Sequence, residues 1–271
     1  MKKILIYSVF LVVFLALPCL AQETGKFLNP APQTAENKGE SLNATEWLIG
    51  SWTGVLKGKY PTRTLEIKEV KKREPASDEK VFEVKGLYGI TGSKLTQATM
   101  EINFAEKTPR LTFITSAKSQ IVMTATNTRR MDGIFTPAKG KPIEFRLWKM
   151  DGAPTISPAL ASLLGTWTGT WTSGLITHMR VDFIDATGAS ITYAWEDFAP
   201  MNGRASWERH NAKVFEDNTI EFFRGGQYTH RYKLSTFFGK EYLGGDCDPC
   251  RWNGGPQTVT WFRSTTFPET K

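Results

Sequence analysis

The stretch Leu48-Ile49-Gly50-Ser51-Trp52-Thr53-Gly54 returns as Leu163-Leu164-Gly165-Thr166-Trp167-Thr168-Gly169, 115 positions further on. A phrase repeated at that interval divides the chain into two similar halves. Alternation with period two follows each copy, so each opens a β-rich unit. In the second half Met179, Val181 and Phe183 alternate with Arg180 and Asp182, and Ile191, Tyr193 and Trp195 with Ser190 and Thr192. Tyr228, His230, Tyr232 and Leu234 do the same, as do Val259, Trp261 and Arg263. The first half repeats the pattern with Leu65 and Ile67, with Phe82, Val84, Gly86 and Tyr88, with Met100, Ile102 and Phe104, and with Ile143, Phe145 and Leu147. One apolar and one polar face is the pattern of an antiparallel sheet covering a core. Turn signals such as Thr91-Gly92-Ser93, Met131-Asp132-Gly133 and Asp185-Ala186-Thr187-Gly188 separate the strands.

Each half has room for about eight short strands. Closing such a sheet removes its edges and leaves an interior wide enough for side chains or one small ligand. The expected fold is therefore all-β: two tandem antiparallel up-and-down barrels, residues 44–150 and residues 157–268.

The last strand of each half also matches. Phe145-x-Leu147-x-Lys149 and Val259-x-Trp261-x-Arg263 stand 114 apart. With the two Gly-x-Trp openings, this resembles the calycin superfamily of lipocalins, fatty-acid-binding proteins, avidins and nitrobindin-like proteins. The resemblance implies that a tryptophan near one barrel end packs against a basic residue of the last strand. Here that pairs Trp52 with Lys149 and Trp167 with Arg263. A cation over an indole face closes the end while one side of its charge stays solvated. Ala44 to Leu48 and Ser157 to Leu163 are expected to form short helical plugs there. The chain lacks the Thr-Asp-Tyr turn of typical lipocalins. More loosely, the second half resembles a small β domain found beside some bacterial hydrolases, through Gly165-Thr166-Trp167-Thr168-Gly169-Thr170-Trp171 and Tyr193-Ala194-Trp195; no activity carries over from it.

The N-terminus reads as an export signal. Met1-Lys2-Lys3 precedes an apolar run from Ile4 to Leu17, broken by Pro18 and followed by Cys19-Leu20-Ala21. A basic start, a short apolar core and small residues before the cut describe a signal peptide over residues 1–21. The run is too short to span a bilayer comfortably. A rival reading lipidates Cys19, for which Pro18 is a poor neighbour. Residues 22–43 are polar and proline-containing, a flexible leader, and Asn43-Ala44-Thr45 fits a glycosylation sequon. The expected destination is the periplasm or the extracellular space.

Formal net charge is +7, and losing Lys2 and Lys3 with the signal leaves +5. Residues 44–150 carry 19 Lys/Arg against 11 Asp/Glu, whereas residues 151–271 carry 11 against 13. A basic first barrel can meet an anionic envelope surface, or its lysines simply solubilise outward faces. No motif points to nucleic acid.

The inward face of the second half is aromatic: Trp167, Trp171, Phe183, Tyr193, Trp195, Tyr228, Tyr232 and Trp261, with His230 among them. Such walls describe a small-molecule site and equally a filled core. Trp171, Tyr193, Trp195, Tyr228, His230 and Tyr232 are the candidate ligand contacts. Cys247-Asp248-Pro249-Cys250 holds the two cysteines that remain after the signal peptide. Zinc needs four ligands and no second pair exists, while an oxidising compartment favours a local disulfide. The same glycine-flanked loop carries Trp252, placed to stack on a sugar ring at the barrel rim. Haem of the nitrobindin kind needs a histidine near the C-terminal end, and the final strand, Gln257 to Arg263, has none; no cofactor is expected. Glu196 and Asp197 are adjacent, so on a strand they point apart and form no acid/base pair.

Two functional classes remain open. One is a non-enzymatic exported binding protein holding a small apolar or aromatic ligand, or a glycan at the rim of the second barrel. The other is a structural or interaction module with both barrels filled by side chains. No nucleophile elbow, P-loop or dinucleotide fingerprint favours an enzyme.

Overall fold

The structure is a computed structural model, and it describes residues 42–72, 81–104, 108–152, 156–201, 203–225, 228–248, 250 and 256–268. The export signal and Trp252 lie outside the described residues, as does almost all of the leader.

Residues Ser41–Lys271 form one compact unit. It contains two closed eight-stranded barrels in which each strand pairs antiparallel with its sequence neighbour. The first runs β1 (Gly50–Leu56), β2 (Arg63–Lys72), β3 (Val81–Ile90), β4 (Thr96–Asn103), β5 (Arg110–Ile114), β6 (Gln120–Asn127), β7 (Arg130–Thr136) and β8 (Ile143–Lys149). Pairing of β1 with β8 closes it, with Trp52 opposite Lys149. The second runs β9 (Gly165–Trp171), β10 (Ile176–Ile184), β11 (Gly188–Trp195), β12 (Ser206–Val214), β13 (Thr219–Arg224), β14 (Tyr228–Phe237), β15 (Lys240–Asp248) and β16 (Gln257–Ser264). Pairing of β16 with β9 closes it, with Arg263 opposite Trp167.

The repeated phrase needs its glycines for two different reasons. Gly50 and Gly165 have φ of 125° and 101°, where a side chain is strained. Gly54 and Gly169 serve close approach instead. A Cβ on Gly54 would sit 2.4 Å from the Phe145 ring, and one on Gly169 would sit 1.8 Å from Trp261. Each barrel thus presses a ring of its last strand against the backbone of its first.

The match between halves extends to an irregularity. The β2–β3 ladder slips between Ile67 and Glu69, and the β10–β11 ladder slips at the matching place, between Val181 and Phe183. A bulge inserts one residue and reverses the facing of the residues beyond it. This corrects the expected position of Phe183. Ile184 enters the core in its place, and Phe183 turns out of the barrel.

Candidate functional site

At one end of each barrel a short helical turn forms a lid: a 3-10 turn over Leu42–Leu48, and α1 over Pro158–Ala161 with Ser157 as its N-cap. Such turns end in unpaired carbonyls. The closing residues satisfy them. Trp52 Nε1 donates to Leu48 O at 2.9 Å, and Trp167 Nε1 to Leu163 O at 3.0 Å. Lys149 Nζ donates to Trp47 O at 2.5 Å and stands 5.9 Å from the Trp52 ring. Arg263 donates to Ser162 O and Leu164 O, with its guanidinium 4.0 Å from the Trp167 ring centre. The four residues therefore hold a lid against the barrel end.

The interior of the second barrel is occupied by its own rings. Tyr232 stacks on Trp261 at 4.7 Å, and Phe222 on His230 at 5.0 Å. Tyr193 lies 5.8 Å from His230 and 6.0 Å from Trp261, all within the range of packed aromatic pairs. The polar handles bond each other: Trp171 Nε1 donates to Tyr193 Oη at 3.1 Å, and His230 Nδ1 lies 3.0 Å from Tyr232 Oη. Of the expected contacts, Trp171, Tyr193, His230 and Tyr232 are thus gathered in one buried cluster. Trp195 and Tyr228 are only partly buried, toward the mouth opposite α1.

Three polar residues missed by sequence reading sit among these rings: Glu208, His210 and Arg224. Arg224 Nε donates to Glu208 Oε1 at 2.5 Å, and its guanidinium lies 4.1 Å from the centre of the Trp195 ring. His210 Nε2 is 3.1 Å from Glu208 but not aligned as a hydrogen bond. Burial pushes the Glu208 carboxyl up, yet the His210 and Arg224 contacts outweigh it and hold it down at about 2. Burial, then the charge of Arg224, pushes His230 down to about 3, so His230 is neutral. The alternation of β12 marks Glu208 and His210 as inward, but nothing in sequence pairs them with Arg224.

Cys247 and Cys250 are joined in a disulfide, with Cα atoms 5.4 Å apart. Cys247 is buried, with Sγ 3.8 Å from His230 Nε2. No group of three or more metal-ligating side chains occurs among the described residues. His178, on the outer face, bonds Thr168 and Glu196 and lies beside Phe267.

The two barrels meet along an extensive junction. Trp148, on the outer face of β8, stacks on Phe183 at 5.7 Å, and its Nε1 donates to Ser190 Oγ at 2.8 Å. Arg130 Nη1 donates to Asp185 Oδ1 at 2.5 Å, and Arg146 Nη1 to Ala189 O at 2.8 Å. Both guanidiniums also lie against the Trp148 ring. Gly58 and Arg209 exchange backbone hydrogen bonds of 2.9 and 3.0 Å, a single β-bridge from one barrel to the other.

Clefts open on this junction. The larger, about 670 Å³, is lined by Lys59, Pro61 and Thr62 of the first barrel and by Ala194, Trp195, Ala205, Ser206, Trp207, Arg209 and Pro268 of the second. A smaller one of about 280 Å³ lies among Lys57, Glu144, Arg146, Asn211, Phe222 and neighbours. The larger runs past the rim of the second barrel at Trp195. Sequence reading singled out Trp195 and missed the rest, because the cleft exists only where the barrels dock.

Closed eight-stranded antiparallel barrels of this kind are compatible with a calycin-like fold, and tandem barrels fit either a binding or a structural module. No family model matches the chain, and no curated protein matches it. One solved structure to which it is similar is a protein of unknown function of the DUF3598 family from Nostoc punctiforme. Identity is 11%, over 80% of this chain and 97% of that one, and the TM-score is 0.21. At that score the likeness bears on neither function nor site.

Proposed function

We propose that this chain is an exported, non-enzymatic binding protein of calycin-like architecture whose ligand lies between the barrels, at the rim of the second. The barrels are the packed cores that set the walls of that site. One observation carries this reading: the rings of the second barrel contact one another across its interior, while a groove of about 670 Å³ opens beside Trp195 and Trp207. That volume falls in the range of ~300–1,000 Å³ usual for small-molecule sites. Two tryptophans and no catalytic pair among the lining residues favour ring recognition over chemistry.

Protein purified from its own host and measured intact under native conditions should carry a ligand. Trp195→Ala should then cost on the order of 2 kcal/mol of binding, the range of an aromatic anchor, on protein confirmed as folded. Full binding by a Trp195→Ala, Trp207→Ala double variant would count against the groove.

The junction also supports a second reading, a structural module working through its surface. Its support is the buried apolar cluster inside each barrel. Host-purified protein that is free of ligand and emerges in a stable complex would favour it.

A further inference from the structure

We propose that the junction groove is built for an acidic oligosaccharide, whose uronic-acid carboxylates dock between Lys59 and Arg209 while its rings lie along Trp207 and Trp195. This rests on the rim-groove reading and names its ligand.

The charge of the groove is one-sided. Its lining carries Lys59 and Arg209 and no Asp or Glu. The nearby carboxylates are already engaged. Asp182 accepts from Arg180 at 2.6 Å and Thr192 at 2.7 Å, and Glu196 faces His178 at 3.0 Å. Asp197 accepts from the Ala205 backbone at 2.6 Å, and Glu208 points inward to Arg224. Asp182 lends Arg209 part of a counter-charge but is shared with Arg180, so an apolar occupant would cover Lys59 uncompensated and Arg209 only partly compensated, which is costly. An anion would complete both.

The cations are held in place from opposite walls. Lys59, from the first barrel, donates across the groove to Ser206 Oγ. An ammonium has three donors, so others remain. Arg209 donates through Nη1 to Tyr60 O and lies 4.9 Å from the Trp207 ring centre. One bond and the Trp207 ring hold the guanidinium at the groove, and a guanidinium is a fork of five N–H donors. A planar carboxylate matches that fork in two-point contact. Arg209 and Arg224 lie over the Trp207 and Trp195 rings, so a pyranose would pack its C–H face on the part of each ring that lines the groove.

The test uses the full chain, titrated with trigalacturonate and with the same trisaccharide fully methyl-esterified, followed by tryptophan fluorescence and calorimetry at low salt. The esterified sugar keeps every ring and loses every charge. The acid is expected to bind at least tenfold more tightly than the ester. Lys59→Gln should weaken the acid at least fivefold and leave the ester unchanged. Trp207→Ala should abolish both, and Lys141→Gln, exposed elsewhere on the first barrel, should change neither. Equal affinity for acid and ester overturns the charge assignment and leaves the groove standing. Binding indifferent to Trp207→Ala and Lys59→Gln overturns both, whereas failure of the acid to bind overturns the oligosaccharide assignment alone and leaves the groove to the native-mass measurement. Displacement of the acid by low-millimolar inorganic phosphate reassigns the anion and overturns the carboxylate claim.

Discussion

At the scale of single residues, three of the described positions adopt positive φ without being glycine: Lys118, Asn218 and Phe238. Asparagine is at home there, whereas a bulky aromatic is strained. Phe238 and Gly239, at φ of 48° and 72°, are the two central residues between paired Phe237 and Lys240, a turn that favours Asn-Gly. Phe238 is 91% exposed, so little packing is lost on replacing it. Phe238→Asn should therefore raise stability by about 0.5–1 kcal/mol, read as a higher urea midpoint; an unchanged or lower midpoint contradicts this. Titration gives a second prediction. His230 refuses a proton until about pH 3, whereas an ordinary histidine takes one at 6.5. Below pH 6.5 the unfolded chain takes up a proton that the folded chain does not, so stability falls from there down to about 3. Glu208, held at about 2 against an ordinary value of 4.5, acts in the same direction: its contribution is complete above 4.5 and lost as pH falls toward 2. His230→Phe should remove an acid-dependent loss on the order of 3–5 kcal/mol between pH 6.5 and 3. An unchanged pH profile of unfolding for that variant would show that His230 titrates normally. Trp52, Trp167, Lys149 and Arg263 were legible in the sequence because they recur at matching intervals. The Glu208–Arg224 pair was not, because it joins β12 to β13 without a counterpart in the first half.

At the scale of elements, alternation located most strands, and it failed where the backbone departs from period two. Phe183 reads as inward until the slip at Val181/Phe183 turns it out. A bulge leaves no composition mark, so its consequences are invisible in one sequence. The second glycine of the repeated phrase makes the opposite point: it was quoted as part of a pattern, and its cause is a ring pressed on the strand. Gly54→Ala should cost about 1–3 kcal/mol through overpacking. A Phe145→Leu background, which removes the ring 2.4 Å from the new methyl, should absorb most of that cost. Additive effects in a double-mutant cycle would mean that Gly54 is needed for another reason.

At the scale of the molecule, the barrels were legible and their docking was not. Trp148 alternates onto the outer face of β8 and so reads as a surface residue, yet it is only 5% exposed. Arg130 and Arg146 likewise read as part of a solvated basic half and are engaged at the junction. Trp148→Ala should split thermal unfolding into two resolved transitions, since it removes the ring shared by both barrels and leaves two guanidiniums without it. Phe262 occupies the matching place on β16 and is 57% exposed; Phe262→Ala should shift stability by less than about 0.5 kcal/mol. A single sharp transition in Trp148→Ala would show that the Gly58–Arg209 bridge and the ion pairs suffice to couple the barrels.

Trp148 and Phe262 are counterparts, and so are Phe183 and Glu69, by the shared bulge. The docking is therefore head to tail: the back of one unit meets the front of the next, through unlike surfaces. Contacts of that kind close into a ring where the rotation between units allows it and otherwise propagate. Here propagation stops at the leading end. Where the second barrel offers Phe183, the first offers Glu69, in ion pairs of 2.7 Å with Lys71 and 3.9 Å with Lys85. The chain is in this sense two stacked units whose leading face carries a charged residue where the junction uses a ring.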